Sequence, residues 1–589
     1  MNLKKTIKKP HAAMVVWNYV ERGGHVGFKD KKSYDLLIST YSIVSMATSR
    51  SKSEPSGSFK VVLAPNKNWV SYITPGSWCA ILMSQDEITK EDITRANIKS
   101  LRFIGRIESV RVQTSVDQDG VRRTMYFVSG TEWSDVFNSV LHIDNSIREK
   151  GNNSALNEIV LMLRAAIYGN SGAPRIFSTT ENLRNLLNIL GANPGGSYRD
   201  HENNINRIAK SVYNFNLPEN LSSFLNTGFR DNKNTKNKQE KPQYKTNVFT
   251  ELVKIKTGSL VRRNGLISEY DNVAGSHGII DVFSLQGVHS LWEIMLSNSN
   301  QAINEMFTEI EWPDDSSPVF TLYNRFKPFC IEGILDDKNK TPITSFFQRL
   351  PAYYIDPVNI ISINAGTNWR DKINFIELKP LLPLDIVQNY VGRYTHAYDA
   401  SAFDREGLRP LILGVTQLPI NINQPKSKEP ILWHIVQSWA NTMKHWYFNT
   451  HRMLNGTIEM VGSDIYIPVG ANVYFPLESL FASHNFNTDS AKNKSGNFIL
   501  AHIESVSHMF SIDSDGKRQY RTSISFVRGI VVNESFMPVG DGGIDYINRP
   551  QAQGNNKKQV TSSNSPQQLD SIYSNLPSTI SKTNNIKDK

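Results

Sequence analysis

"RIESVRVQTSVDQDGVRRTMYFVSG", Arg106–Gly130, recurs far along the same chain as "HIESVSHMFSIDSDGKRQYRTSISFVRG", His502–Gly529. Between Ile107 and Arg122 the two stretches align without a gap and agree at nine of sixteen positions. Each reads as two alternating apolar and polar runs around an Asp-Gly pair, Asp119-Gly120 and Asp515-Gly516. That pattern predicts a β-hairpin, because the tight turn needs a positive φ that glycine adopts without strain. Upstream, Gly57-Ser58-Phe59 opens a strand and "YITPGSW" (Tyr72–Trp78) turns it. Gly456-Thr457-Ile458 and "IYIPVGANVYF" (Ile465–Phe475) do the same in the second half. The closing glycine lies 73 residues beyond the opening one in both, Gly57 to Gly130 and Gly456 to Gly529. The expected fold class is therefore α+β: two similar small antiparallel β-barrels separated by a large mixed α/β and helical insertion.

At 589 residues the chain is too long for one core, and roughly three to five domains are expected. Apolar residues at 39%, with 10% aromatics, suffice to bury several cores. The net charge of +10 permits contact with nucleic acid or an acidic partner without requiring either. No Lys/Arg run is interleaved with aromatics, so nucleic-acid recognition is not the expected main task. The two cysteines, Cys79 and Cys330, read as buried free thiols of a protein folded in the cytoplasm. The opening "MNLKKTIKKPHAAMVVW" lacks a signal-length apolar run, and no stretch reaches the roughly eighteen apolar residues of a membrane helix. A soluble chain folded without export is expected.

The expected domains are 1–145 first barrel, 146–229 helical insertion, 230–250 polar linker, 251–425 mixed α/β insertion, 426–540 helix plus second barrel and 541–589 flexible tail. Helices are predicted over Ser154–Gly169, Thr179–Gly191 and Glu429–Leu454 from N-cap, glycine-stop and periodicity signals. Arg230–Lys245 is lysine-rich and almost without apolar residues, hence an exposed connection. The Asn/Gln/Ser/Lys-rich residues beyond Asn548 are expected to be disordered in the free chain and to order on docking.

Sharper chemistry finds little support. "DQDG" and "DSDG" resemble the start of a calcium loop, but the twelfth position from Asp117 is Val128 and from Asp513 is Ile524, where such a loop needs a bidentate Glu. Hairpin turns are the better reading. His508 lies in an alternating strand and reads either as an interface contact or as a hydrogen-bonded structural histidine. Glu108 and Glu504 occupy equivalent places in separate copies, so they are not expected to converge as a catalytic pair. Trp133, Phe137 and Trp292 read as core or as interface anchors. "GGHVGF" (Gly23–Phe28) is too short for a phosphate loop, and no zinc, Walker or nucleophile-elbow motif is present. No catalytic, cofactor-binding or metal residue is expected. Exposed barrel edges are expected to pair with neighbours, since a long unpaired edge invites aggregation.

Duplication either merely enlarged a scaffold or has a use in assembly: three chains with two similar barrels each set six near-equivalent units round a threefold axis. The second copy's phrasing, "LNGTIEMVGSDIYIPVGANVYF" (Leu454–Phe475) followed by Val506, His508, Phe510, Arg528 and Gly529, resembles the central baseplate hub proteins of contractile-tailed bacteriophages. That family is related to late-control protein D and to the hub part of type VI secretion spikes. Ser290–Phe329, Thr367–Leu378 and Asp404–Leu411 are similar to later family phrases in the same order, and the resemblance covers about residues 55–535. It implies a non-enzymatic homotrimer of the virion tail baseplate, assembled in the host cytoplasm. Its partners would be the central spike, the tail tube or its initiator, other baseplate proteins and the tape measure, with DNA only in transit. No cofactor and no membrane insertion are implied, and no stretch after residue 545 has the makings of an appended lysozyme-like or peptidase domain. Two rivals come from other classes. A tail-associated peptidoglycan hydrolase would clear a zymogram, and a basic DNA-binding protein would show steep salt dependence.

Overall fold

The computed structural model describes residues 9–18, 35–116, 120, 122–139, 141–142, 219–225, 253–257, 289–290, 292–293, 296, 304–312, 318–327, 350–380, 396–415, 440, 443–444, 447–481, 497–513, 515–533 and 544–547. Strands dominate these residues, most of them paired antiparallel, and helices are few and short. The first half contributes β1 (His11–Trp17), β2 (Asp35–Ile38), β3 (Ile43–Ser51), β4 (Ser58–Leu63), β5 (Trp78–Ser84), β6 (Leu101–Val116) and β7 (Arg122–Glu132). Between the halves come β8 (Leu141–His142), β9 (Val253–Thr257), β10 (His289–Ser290), β11 (Asn304–Glu311) and β12 (Val319–Phe326). Then follow β13 (Ala352–Ile355), β14 (Ile360–Gly366), β15 (Phe375–Pro380), β16 (His396–Tyr398) and β17 (Pro410–Val415). The last are β18 (Leu454–Val461), β19 (Asn472–Pro476), β20 (Asn497–Ile512), β21 (Arg518–Asn533) and β22 (Ile544–Ile547).

Fourteen strands form one continuous sheet, ordered β14-β18-β21-β20-β3-β4-β7-β6-β5-β1-β2, with β13, β19 and β22 alongside. Two stretches of this order follow the same succession of elements. In the first half β2, the short 3-10 turn Thr40–Ser42 and β3 are followed by the ladder β3-β4-β7-β6-β5. In the second, β13, the turn Pro357–Asn359 and β14 are followed by β14-β18-β21-β20-β19. Two of the irregularities coincide as well. β3 slips register against β4 between Ile43 and Ser45, and β14 slips against β18 between Ile360 and Ser362. β6 slips against β7 between Ile107 and Ser109, and β20 against β21 between Ile503 and Ser505. The repeated Ile-Glu-Ser is thus a β-bulge, with Glu108 or Glu504 as the extra residue that bends the long strand.

Those bulges correct one detail of the sequence reading. Just past them Gly130 pairs with Phe59 in the first half, and Phe526 pairs with Gly456 in the second. Gly456 is therefore the counterpart of Phe59, not of Gly57, and the shared 73-residue span is coincidental. The second half also begins earlier than residue 426. β13 and β14, from the stretch assigned to the 251–425 insertion, pair with β19 and β18.

Each half curls round a core of its own. Ile38 of β2 and Ile43 and Met46 of β3, near the two ends of the strand order, share one core with Phe59, Phe103 and Ile81. Phe59 and Phe103 meet edge to face at 5.2 Å, a favoured aromatic geometry. In the second half Ile355, Ile458, Phe475, Ile503, Ile524 and Phe526 make the equivalent core. The turn of the sheet is completed by side chains, since among the described residues no ladder joins β2 to β3 or β13 to β14.

β1 and β5 read as unbroken apolar runs, "HAAMVVW" and "WCAILMS", because both of their faces are covered. Met14, Val16 and Ile81 face the first core, while Ala13, Val15, Trp78 and Leu82 face a further cluster. That cluster contains Trp133, Phe137 and Trp292, so all three aromatics are core within this chain. β11 and β12, which with β9 form a separate three-stranded sheet, supply Ile310 and Phe320 to it. Phe307 of β11 turns to the second half's core instead, so β11 is wedged between the halves.

The predicted helices Ser154–Gly169 and Thr179–Gly191, the Arg230–Lys245 connection and the residues beyond Asn548 lie outside the described residues, as does most of Glu429–Leu454. No helix among the described residues is long and apolar enough to cross a membrane.

Candidate functional site

The two halves meet where β20 leaves one ladder and joins another. Its N-terminal part pairs with β19, from Phe498 to His502. After the Glu504 bulge the same edge pairs antiparallel with β3, Ser505 opposite Ser51 through to Ser511 opposite Ser45. A 16-residue strand, with register shifts at Leu500/His502 and Ile503/Ser505, therefore serves both halves. Phe510 and Tyr520, from β20 and β21, lie in the first half's core.

Charged side chains are buried along this seam. Arg50 of β3 is only 8% exposed, and Glu132 of β7 and Glu309 of β11 are 1% and 2% exposed. Arg50 grips Glu132 with two parallel hydrogen bonds, Nε to Oε2 at 3.0 Å and Nη2 to Oε1. Its Nη1 donates to Glu309 Oε1 at 2.5 Å. Glu309 also accepts from the Tyr466 hydroxyl at 2.5 Å, the Val469 N–H at 2.6 Å and the Ile310 N–H at 2.7 Å. One cation thus holds two carboxylates, one from the first half and one from the insertion, while Tyr466 and Val469 bring in the second half.

Burial pushes the Glu309 carboxyl up to about 7; Arg50 and the two backbone N–H groups pull the other way, and the Glu132 charge adds to the rise. Burial works against the Arg50 charge, but Glu132 and Glu309 outweigh it and the guanidinium is held above its ordinary value. A buried charge is tolerated only when paired and hydrogen-bonded, and this cluster meets both conditions. At its rim Lys52 bridges Glu305 at 2.8 Å and the bulge residue Glu504 at 3.3 Å.

A second buried group lies beside the first. Arg102 of β6, 2% exposed, donates to the carbonyls of Ile98, Lys99 and Leu101 in its own half. It also donates to the Ser463 carbonyl at 2.7 Å and the Tyr520 hydroxyl at 2.7 Å in the other. Gln85 adds bonds to the carbonyls of Gly462 and Tyr520. His508 Nδ1 lies 3.0 Å from the Thr522 hydroxyl and 3.2 Å from that of Tyr520. Burial, then Arg102 and Arg50, drives the His508 pKa well down, so the ring is neutral. His508 is a hydrogen-bonded structural histidine, placed between the two halves of one chain.

The arrangement fastens the two halves and the insertion to one another. The cavity between Arg50, Arg102, Tyr466 and His508 has about 10 Å³ of room, at the lower limit for one water molecule. Glu108 and Glu504 do not meet: Glu108 accepts from Thr131, and Glu504 faces Lys52. The second Asp-Gly loop is a turn in which Asp513 accepts the N–H groups of Asp515 and Lys517, with Gly516 at φ +74°. Gly120 has φ +73° in the first hairpin. The twelfth positions of the calcium-loop reading, Val128 and Ile524, are buried in the two cores. Arg528, singled out by resemblance, is the non-glycine residue with positive φ among those described, and its N–H is held by the Asn455 side chain.

Arg50, Arg102, Glu132 and Glu309 did not stand out in the sequence. The available signal was charge in phase with buried apolar residues, such as Glu309 two residues from Phe307 on one strand. Nothing local pairs residue 50 with residues 132 and 309.

No family model matches the chain, and no curated protein matches it. Among solved structures it is similar to the 43 kDa tail protein of prophage MuSo2 from Shewanella oneidensis, with 11% identity, 88% of this chain and 98% of that chain covered, and a TM-score of 0.36. A tail protein from Neisseria meningitidis MC58 gives 10% identity, coverage of 88% and 96%, and a TM-score of 0.36. The Francisella PdpA-VgrG complex, lidded, gives 6% identity, 89% of this chain and 54% of that chain, and a TM-score of 0.35.

Proposed function

We propose that the chain is a structural protein of a phage tail baseplate: a trimeric hub that joins a sixfold tail tube to a threefold central spike and lines the channel through which DNA leaves. One observation carries this reading. A single chain holds the same succession of strands, turn and bulges twice, fastened edge to edge by β3 and β20. Three such chains present six similar units to one neighbour and three identical chains to another. The sequence phrases of the second half, which resemble baseplate hubs, point the same way. The buried side chains at the seam serve cohesion, and the work done is geometric.

The mass of the particle formed with and without the spike protein tests the reading. Three copies per particle in the presence of the spike are expected. A stable assembly with any other copy number, or failure to bind either spike or tube protein, overturns it.

A further inference from the structure

The slip of β14 against β18 matches that of β3 against β4, which sets each residue of β14 317 beyond its counterpart in β3. The match extends back into the turns before these strands. Ser42 N–H donates to the Ser39 carbonyl at 3.0 Å, and Asn359 N–H to the Asp356 carbonyl at 2.9 Å, each closing one 3-10 turn. The middle residues of those turns, Tyr41 and Val358, are therefore counterparts. Tyr41 is 79% exposed and Val358 is 87% exposed. No other large apolar side chain among the described residues is as exposed, and Val116 follows at 67%. Scattered exposed apolar residues are ordinary, but here the two extremes fall at one place of a repeat.

Both turns are held firmly, so the middle side chain projects from a fixed support. Thr40 Oγ1 donates to the Ala12 carbonyl at 2.6 Å and accepts the Ala12 N–H at 3.1 Å. Ser42 Oγ accepts from the Asn66 side chain at 2.9 Å. In the second turn the Asp356 carboxylate accepts the Val358 N–H at 3.0 Å, and Pro357 has its φ fixed by its own ring. A side chain shown on such a turn gives up little freedom on docking.

Strand directions put the two turns at one end of the sheet. Four antiparallel pairings lead from β14 through β18, β21 and β20 to β3. β14 and β3 therefore run the same way, and each turn precedes its strand. The Asp515-Gly516 turn, which follows β20, lies at this end as well. Beyond it Arg518 sets its guanidinium carbon 5.1 Å from the centre of the Tyr41 ring.

We infer that this end of the sheet is the surface that receives the end of the sixfold tail tube, with Tyr41 and Val358 as one repeated apolar anchor. Three chains present six such anchors, tyrosine and valine in alternation. A sixfold neighbour offers six identical recesses and fills them all. A threefold spike offers three and meets one kind of anchor only. An anchor repeated in both halves thus has a use toward the tube and none toward the spike. The inference deepens the proposed function by naming the tube-binding surface, and rests on that reading.

Co-sedimentation of the full chain with polymerised tube protein, beside capture by spike protein, tests it. Tyr41→Ser and Val358→Ser are each expected to weaken tube binding about tenfold, and together about a hundredfold. Spike binding, copy number and unfolding midpoint are expected to stay unchanged. Leu408→Ser, at another exposed apolar residue just before β17, is expected to alter neither binding. Val358→Tyr, which puts the first half's side chain in the second half's place, is expected to bind tubes as the native chain does. Weakening in only one of the two serine variants, or in Val358→Tyr, overturns the repeated anchor. Undiminished tube binding by the double variant overturns the surface while leaving the hub standing. Loss of spike binding instead, or of the three-copy particle, assigns the residues to the spike or to a second copy and overturns the tube assignment. A native chain that binds neither tube nor spike overturns the proposed function and this surface with it.

Discussion

Arg50 is placed where its loss has no local remedy. Replacing it with Met leaves Glu132 and Glu309 facing each other in a buried site, with Tyr466 and backbone N–H groups as the remaining donors. A broken buried pair costs about 3–5 kcal/mol, so Arg50→Met is expected to lower the denaturant midpoint by that equivalent at neutral pH. Glu309 adds a pH signature. Its folded-state pKa of about 7 lies above the ordinary carboxylate value of 4.5, so the folded chain binds the proton more tightly than the unfolded chain. The stabilisation is complete below about pH 4.5, fades as pH rises toward 7 and is gone above it. The whole effect is on the order of 3 kcal/mol. Denaturant midpoints taken from pH 5 to 8 are expected to fall more steeply for the native chain than for Glu309→Gln, and equal slopes would refute the assignment.

The two hairpins test what an element gains from its neighbour. Phe510 is fully buried in the other half's core, whereas its counterpart Thr114 is exposed. Phe510→Ala is expected to cost about 3–5 kcal/mol and Thr114→Ala to stay within about 0.5 kcal/mol, as measured by equilibrium unfolding of the unassembled chain. The turns behave alike in both copies. Gly516 and Gly120 sit at φ +74° and +73°, so alanine at either is expected to cost about 1–2 kcal/mol in the same assay. These hairpins were legible in the sequence because every signal is local: alternation, Asp-Gly, and a repeated Ile-Glu-Ser. The bulge that this tripeptide forms was not legible, since it exists only relative to a partner strand. The start of the second half was hidden for a similar reason. "AYYI" and "IISINAG" are short and are separated from β18 by an insertion, and only ladder pairing assigns them to it.

At the scale of the molecule, duplication was readable and fastening was not. The cluster joining residues 50, 132 and 309 spans separations that no window of sequence connects. These charges are buried only because three elements, β3, β7 and β11, close over them. Residues 548–589 offer a whole-chain prediction drawn from composition alone. Their removal is expected to leave the unfolding midpoint unchanged and to impair particle assembly, and normal particles from the truncated chain would refute the role.

The β20–β3 ladder lies inside one polypeptide, so it forms at a rate and to an extent that do not depend on how many chains are present. In a ring of the kind proposed, every other joint between repeated units is of this unimolecular kind. Dilution then acts on alternate joints only, and half of the joints stay made however thin the solution becomes.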